Sequence, residues 1–153
     1  MENLEAIIAG HPFVKDLAPE LLRLLYPGAK EVIFAAGEVI ATEGAAADRF
    51  FLLLSGEVAI EATIAEEGPV ALQRLRAGDA LGWSWLFPPF RWHFTARAVE
   101  ITRAVAWDTA QLRAEADANP RFGYALASRL TQVLLQRLGA ARQQMVEFYG
   151  AQG

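Results

Sequence analysis

The chain has 153 residues, 54% of them hydrophobic and 21% charged, with a formal net charge of -4; this fits one globular domain with a single sizeable core. The acidic balance offers no footprint for nucleic acid or an anionic membrane. With no cysteine, disulfides, thiol nucleophiles, iron–sulfur ligation and cysteine-type zinc sites are excluded.

The opening MENLEAIIAGHPF carries two acids and only a brief apolar run, unlike a signal peptide. No apolar stretch reaches the length of a membrane span, so a soluble, cytoplasmic protein is expected. Residues 3–9 read as a short helical turn ahead of His11-Pro12. A second helix is expected to start at Pro19, where proline suits the first helical position and Glu20 suits the positive end of the dipole. It buries Leu21, Leu22, Leu24 and Leu25 and stops at Tyr26-Pro27-Gly28, which bounds an N-terminal helical part at 3–26.

Between residues 30 and 108 short β-rich runs (EVIF, EVIATE, RFFLLLSG, EVAIEATI, VALQRL, TARAVEITRAVAW) are separated by glycine-containing turns. That rhythm predicts an antiparallel barrel or sandwich, since no helices lie between the strands to serve a parallel sheet. EVAIEATI alternates Val58, Ile60, Ala62 and Ile64 against Glu57, Ala59, Glu61 and Thr63, as a half-buried strand does. FFLLL is apolar throughout and belongs in the middle of the core. Gly44, Gly56 and Gly78 sit in turns that favour positive φ.

The remainder, 109–149, is helical, with a break at Asn119-Pro120. In the long final helix Leu134, Leu138, Ala141, Met145 and Phe148 recur at spacings of four, three, four and three. This is the seam of a helix that packs on another helix, and a homodimer through Leu134, Leu138 and Met145 is expected. Leu126 and Leu130, upstream, can instead pack on the β-region. One domain spanning 1–153 is the expectation.

The segment GWSWLFPPFRWHF, residues 82–94, concentrates aromatic rings around one arginine and one histidine. Trp83, Trp85 and Phe87, then Phe90, Trp92 and Phe94, each step by two, as side chains on one strand face do. Pro88 and Pro89 are expected to hold the loop stiff and extended.

The order of elements, and the residues in FAAGEVIATEGAAADRFFLLLSGEVAI, resemble the cyclic nucleotide-binding domain of catabolite-activator-type regulators, kinase regulatory subunits and gated channels. Phe34, Gly37-Glu38, Ile40, Glu43-Gly44, Ala47-Asp48, Phe50-Phe51, Ser55-Gly56 and Val58 match that pattern, as do Leu75, Gly78-Asp79, Leu81-Gly82 and Ala98. The resemblance covers about residues 11–147. It implies a mainly β fold with flanking α: a β-roll of the jelly-roll, double-stranded β-helix type, with N-terminal helices and a long C-terminal helix. In the family, the segment opening at Gly82 carries the ligand chemistry. A glutamate follows the glycine and accepts from the ribose hydroxyl. An arginine ten positions after the glycine, with the N-terminus of a short helix, holds the cyclic phosphate. Here Trp83 stands at the glutamate position and Trp92 at the arginine position. An indole offers one N–H and no acceptor, and cannot neutralise a phosphate. Arg91 is one residue off and, along a strand, points to the opposite face.

Four readings of this cassette remain open: a filled aromatic plug; an altered pocket for a flat or apolar ligand such as a purine, a haem-like group or an aromatic acid; a cyclic nucleotide bound through Arg91 and backbone amides; and a protein interface. The candidate ligand-binding residues are Gly82, Trp83, Ser84, Trp85, Arg91, Trp92, His93 and Thr95; Arg97 is expected to be solvated. The leading functional reading is a stand-alone regulatory sensor that binds a nucleotide or another small-molecule effector other than, or differently from, cAMP or cGMP. The alternatives are a ligand-free adaptor module and, more weakly, a cupin-like metal enzyme.

An enzyme is not expected. The only histidines are His11, read as remote from the roll, and His93, with no metal-ligand spacing. Ser55, Ser84 and Ser128 have no histidine at a recognisable motif spacing. No cofactor is expected. The chain ends at Gly153, without room for the helix-turn-helix of DNA-binding relatives, so direct nucleic-acid contact and membrane contact are not expected. An unidentified regulatory partner protein is.

Overall fold

The computed structural model describes residues 3–152. Helix α1 (Leu4–Ala9) is capped by the Asn3 side chain, which accepts from the Glu5 N–H. A 3-10 turn at Pro12–Val14, not foreseen from the sequence, follows His11, whose Nδ1 accepts from the Phe13 N–H. Helix α2 is a single turn, Pro19–Leu22, shorter than expected; Leu24 and Leu25 continue it in i→i+3 turns. Of the four leucines expected to face inward, Leu21 and Leu25 are buried and Leu22 and Leu24 are half-buried.

Eight strands follow: β1 (Lys30–Phe34), β2 (Val39–Ala41), β3 (Arg49–Ser55), β4 (Glu57–Ile64), β5 (Gly68–Arg76), β6 (Ala80–Leu81), β7 (Thr95–Ala98) and β8 (Thr102–Asp108). They form two antiparallel four-stranded sheets, β1-β8-β3-β6 and β2-β7-β4-β5. The run TARAVEITRAVAW splits into β7 and β8, one in each sheet, which folds the roll over its own core. β3 is interior to its sheet, and Phe50 to Leu53 are buried, as an uninterrupted apolar run demands. On β4 the expected alternation does not hold: Val58, Ala59 and Ile60 are all buried, and Ile64 at the far end is exposed. Gly56, between β3 and β4, has φ +93° and no room for a side chain: a Cβ would come within 2.5 Å of the Ile101 carbonyl oxygen.

Phe50 is the hub of the core. Its ring lies 5.4 Å from Phe13, 5.8 Å from Trp85 and 5.9 Å from Trp107. It therefore ties the N-terminal turn, the aromatic segment and β8 together. The Trp107 indole donates to the Leu25 carbonyl at 2.7 Å, so even this buried polar group is satisfied.

Helix α3 (Thr109–Ala118) starts at Asp108, whose carboxylate accepts from the N–H groups of Ala110 and Gln111. After the break at Asn119, α4 (Pro120–Gln152) runs for 33 residues. Phe122, Leu126 and Leu130 are buried in the common core; beyond Leu134 the apolar residues turn outward, with Leu138 65% and Met145 61% exposed. No helix among the described residues is long and apolar enough to cross a membrane.

Candidate ligand site

The aromatic segment does not form the strand that its period suggested. Ser84–Leu86 is a 3-10 turn, and only Arg91 forms an isolated bridge, to Ala46. The two-proline stretch is a turn rather than an extended rod: the Phe90 N–H donates to the Phe87 carbonyl at 2.9 Å and Phe90 takes φ +58°. The aromatic rings consequently part company. Trp85, Trp92 and Phe94 are buried, Trp83 and Phe90 are half-buried, and Phe87 is exposed.

Three of these rings complete the core. The Trp85 indole donates to the Gly82 carbonyl at 3.2 Å, and its own carbonyl accepts from Arg113 of α3 at 3.0 Å. The Arg113 guanidinium also lies 4.6 Å from the centre of the Phe90 ring, a cation–π contact. Trp92 packs edge-on against Phe94 at 5.7 Å and against the bare backbone of Gly82, which takes φ +106°. Gly82 thus makes space for the indole.

Trp83 and His93 face a different environment. Their rings stack at 4.8 Å with an interplanar angle of 24°, and His93 Nδ1 lies 2.9 Å from the buried Ser84 hydroxyl. Sequence spacing gave no sign of this serine–histidine pair; it has no acidic third member among the described residues. Its evident effect is to fix the plane of the imidazole beneath Trp83. The stacked rings form part of the wall of a cavity of about 430 Å³ between the roll and α4, within the size range of small-molecule sites (about 300–1,000 Å³). Ile60, Leu72, Gln73 and Phe94 line it from the roll, and Leu134, Arg137, Leu138, Ala141 and Gln144 from α4. The two glutamine side chains already donate to main-chain carbonyls, Gln73 to Arg137 at 2.9 Å and Gln144 to Leu72 at 2.6 Å, and so brace α4 against β5.

Of the eight candidate residues, Trp83 and His93 reach this cavity. Ser84 supports His93 from below, while Gly82, Trp85 and Trp92 are packed in the core. Arg91 points outward and donates to the Gly44 carbonyl at 2.9 Å. The Thr95 hydroxyl accepts from the Glu43 N–H at 3.1 Å. Arg97 is not freely solvated: it pairs with Glu61 at 3.4 Å and donates to the Gly37 carbonyl at 3.0 Å. The α4 residues of the cavity were missed. Leu134, Leu138 and Ala141 are legible in the sequence only as part of a dimer seam, and Arg137 and Gln144 give no signal at all.

His11 is not remote from the roll. It is buried, with Nε2 3.0 Å from the Leu53 carbonyl of β3. Since Nδ1 accepts from the Phe13 N–H, the Nε2–H form is the one that satisfies both bonds. Burial is the largest influence on this imidazole and pushes its pKa below the ordinary 6.5, against the opposing pull of the Leu53 carbonyl and Asp79. Among the described residues no group of three or more histidine, aspartate or glutamate side chains is placed to hold a metal ion.

Comparison with known proteins settles the ancestry. A family model for the cyclic nucleotide-binding domain matches residues 31–119. The chain belongs to the cyclic nucleotide-binding domain family. The match takes in the roll from the second residue of β1 onward, together with α3, and stops before α4. A Geobacter metallireducens GS-15 protein, provisionally named a cyclic nucleotide-binding protein, is 28% identical with TM-score 0.78, over 90% of this chain and 99% of that one. A cyclic nucleotide-binding domain from Methylobacillus flagellatus KT has TM-score 0.82 at 20% identity, over 94% of this chain and 83% of that one. The catabolite activator protein of Thermus thermophilus has TM-score 0.69 at 24% identity, over 90% of this chain and 63% of that one. The last two likenesses concern the fold alone. No curated protein matches the chain significantly.

Proposed function

We propose that this cyclic nucleotide-binding domain is a regulatory sensor, without catalytic activity, that takes a flat, largely apolar small molecule between the Trp83–His93 stack and α4. The observation that carries the reading is the make-up of the roll cavity. It offers ring faces and aliphatic side chains, no carboxylate lines it among the described residues, and its one arginine comes from α4. Where the family resemblance puts a phosphate-gripping arginine, the buried ring of Trp92 lies on Gly82. Where it puts a ribose-binding glutamate, Trp83 stacks on His93. An effector held by stacking and apolar contact suits these walls better than a charged cyclic phosphodiester does.

Native mass spectrometry of the purified protein, followed by melting-temperature shifts with a panel of purines and aromatic acids, tests this. A retained or stabilising flat ligand, lost in Trp83→Ala, is expected. An empty protein indifferent to the whole panel would overturn the sensor reading in favour of a ligand-free adaptor.

The output of such a sensor would pass through α4. Leu134, Leu138 and Ala141 line the cavity, and the same residues begin the heptad-like seam that continues through the exposed Met145 and Phe148. A second copy of the chain is the occupant that this seam fits, because the 3-4 spacing is self-complementary in a helix pair. A ligand touching Leu138 from one side would then bias the pairing of α4 on the other.

A further inference from the structure

A second cavity, a cleft of about 490 Å³, lies between α4, β5 and the N-terminal turn. Arg129 and Arg137, about two helical turns apart on α4, both line it, with Gln132 and Gln136 between them. Each guanidinium is only partly satisfied. Arg129 donates through Nη1 to the Phe13 carbonyl at 3.3 Å, and its buried Nε has no partner. Arg137 donates through Nη2 to the Ala80 carbonyl, and its buried Nη1 has no partner. Neither is ion-paired with a carboxylate among the described residues. Asp79 also lines the cleft, but its carboxylate accepts from the Arg76 N–H at 2.8 Å and reaches Arg137 only through space. Burial lowers the Arg137 pKa to about 10, against the pull of Asp79.

A guanidinium withdrawn from water without a carboxylate partner is costly, and an unmade hydrogen bond adds to that cost. Two such groups on one cavity wall amount to a site that lacks its anion. We propose that the cleft binds an oxyanion group, phosphate or carboxylate, of a small molecule, with Arg129 and Arg137 as the anchors. Arginine suits this role because its planar fork matches both groups. The cleft adjoins the Trp83–His93 cavity, with Gln73, Arg137 and Gln144 on the wall between the two.

Isothermal titration of the full chain with pyrophosphate and with citrate, at matched ionic strength, tests the proposal and separates the two oxyanion chemistries. Saturable binding of at least one is expected, weakened about ten- to hundredfold by Arg129→Gln or Arg137→Gln. Arg121→Gln removes an exposed cation paired with Glu20 and should leave binding unchanged, as should Trp83→Ala in the other cavity. If Arg137→Gln does not fold, Arg137→Lys, which keeps the charge and loses the fork, should still weaken binding. No saturable heat at millimolar anion would overturn the proposal. So would binding insensitive to the substitutions at both arginines, or weakened as much by Arg121→Gln.

Discussion

The Trp92 ring occupies the space into which a side chain on Gly82 would project: a Cβ there would stand 2.9 Å from the indole Cη2. With φ at +106°, the backbone adds strain of its own. Gly82→Ala is therefore expected to destabilise the fold by about 2 kcal/mol or more, read as a shift of the urea midpoint at constant slope. A change within about 0.5 kcal/mol would mean that the Trp92–Gly82 contact is not tightly packed.

Trp85 and Trp83, two residues apart, should respond differently to truncation. Trp85 is buried against Phe50, so Trp85→Ala should cost about 3–5 kcal/mol. Trp83 is half-buried at the cavity edge, and Trp83→Ala should cost distinctly less while abolishing any ligand response. Equal losses in chemical denaturation would contradict this division of the segment into core and wall.

Much of the fold was legible in residue order. The uninterrupted FFLLL run could only be an interior strand, the glycine-punctuated runs could only be antiparallel, and Asn119-Pro120 broke the helices where the structure breaks them. The aromatic segment was less legible. A period of two suggests a strand, but Trp85 at the core lies within a 3-10 turn that Trp83, at the cavity, precedes, and a turn has no such periodicity. The α4 wall was hidden for another reason. Leu138 has the same spacing whether it meets a ligand or a second helix, and only the packing of α4 on β5 places it at the cavity.

His11 should make stability depend on pH in a narrow window. Its folded pKa lies below the unfolded 6.5, so at pH below 6.5 the unfolded chain binds a proton that the native state refuses. Stability is then unaffected above about pH 7 and falls as pH drops through 6.5 toward the folded value, by at most about 1.4 kcal/mol per pH unit. Carboxylates such as Glu57, held low chiefly by its hydrogen bond from Arg74, act only from their ordinary 4.5 downward. His11→Gln should flatten the slope of the melting temperature between pH 7 and 5. A slope unchanged by the substitution would contradict the neutral, doubly bonded imidazole.

If α4 pairs with a second copy, charge on its seam should separate the copies. Leu138 is 65% exposed in the single chain, so Leu138→Glu should leave each fold intact and halve the mass in light scattering. A monomeric parent protein, or a variant of unchanged mass, would contradict the pairing.

The most direct measurement is a titration of tryptophan fluorescence with cAMP and cGMP to millimolar concentration, because Trp83 lines the roll cavity and Trp92 packs on Gly82. No saturable change at micromolar nucleotide is predicted, since neither residue can replace the carboxylate and guanidinium that the family resemblance puts at those positions. Saturable micromolar binding of either nucleotide, abolished by substitution within residues 82–93, would contradict the account.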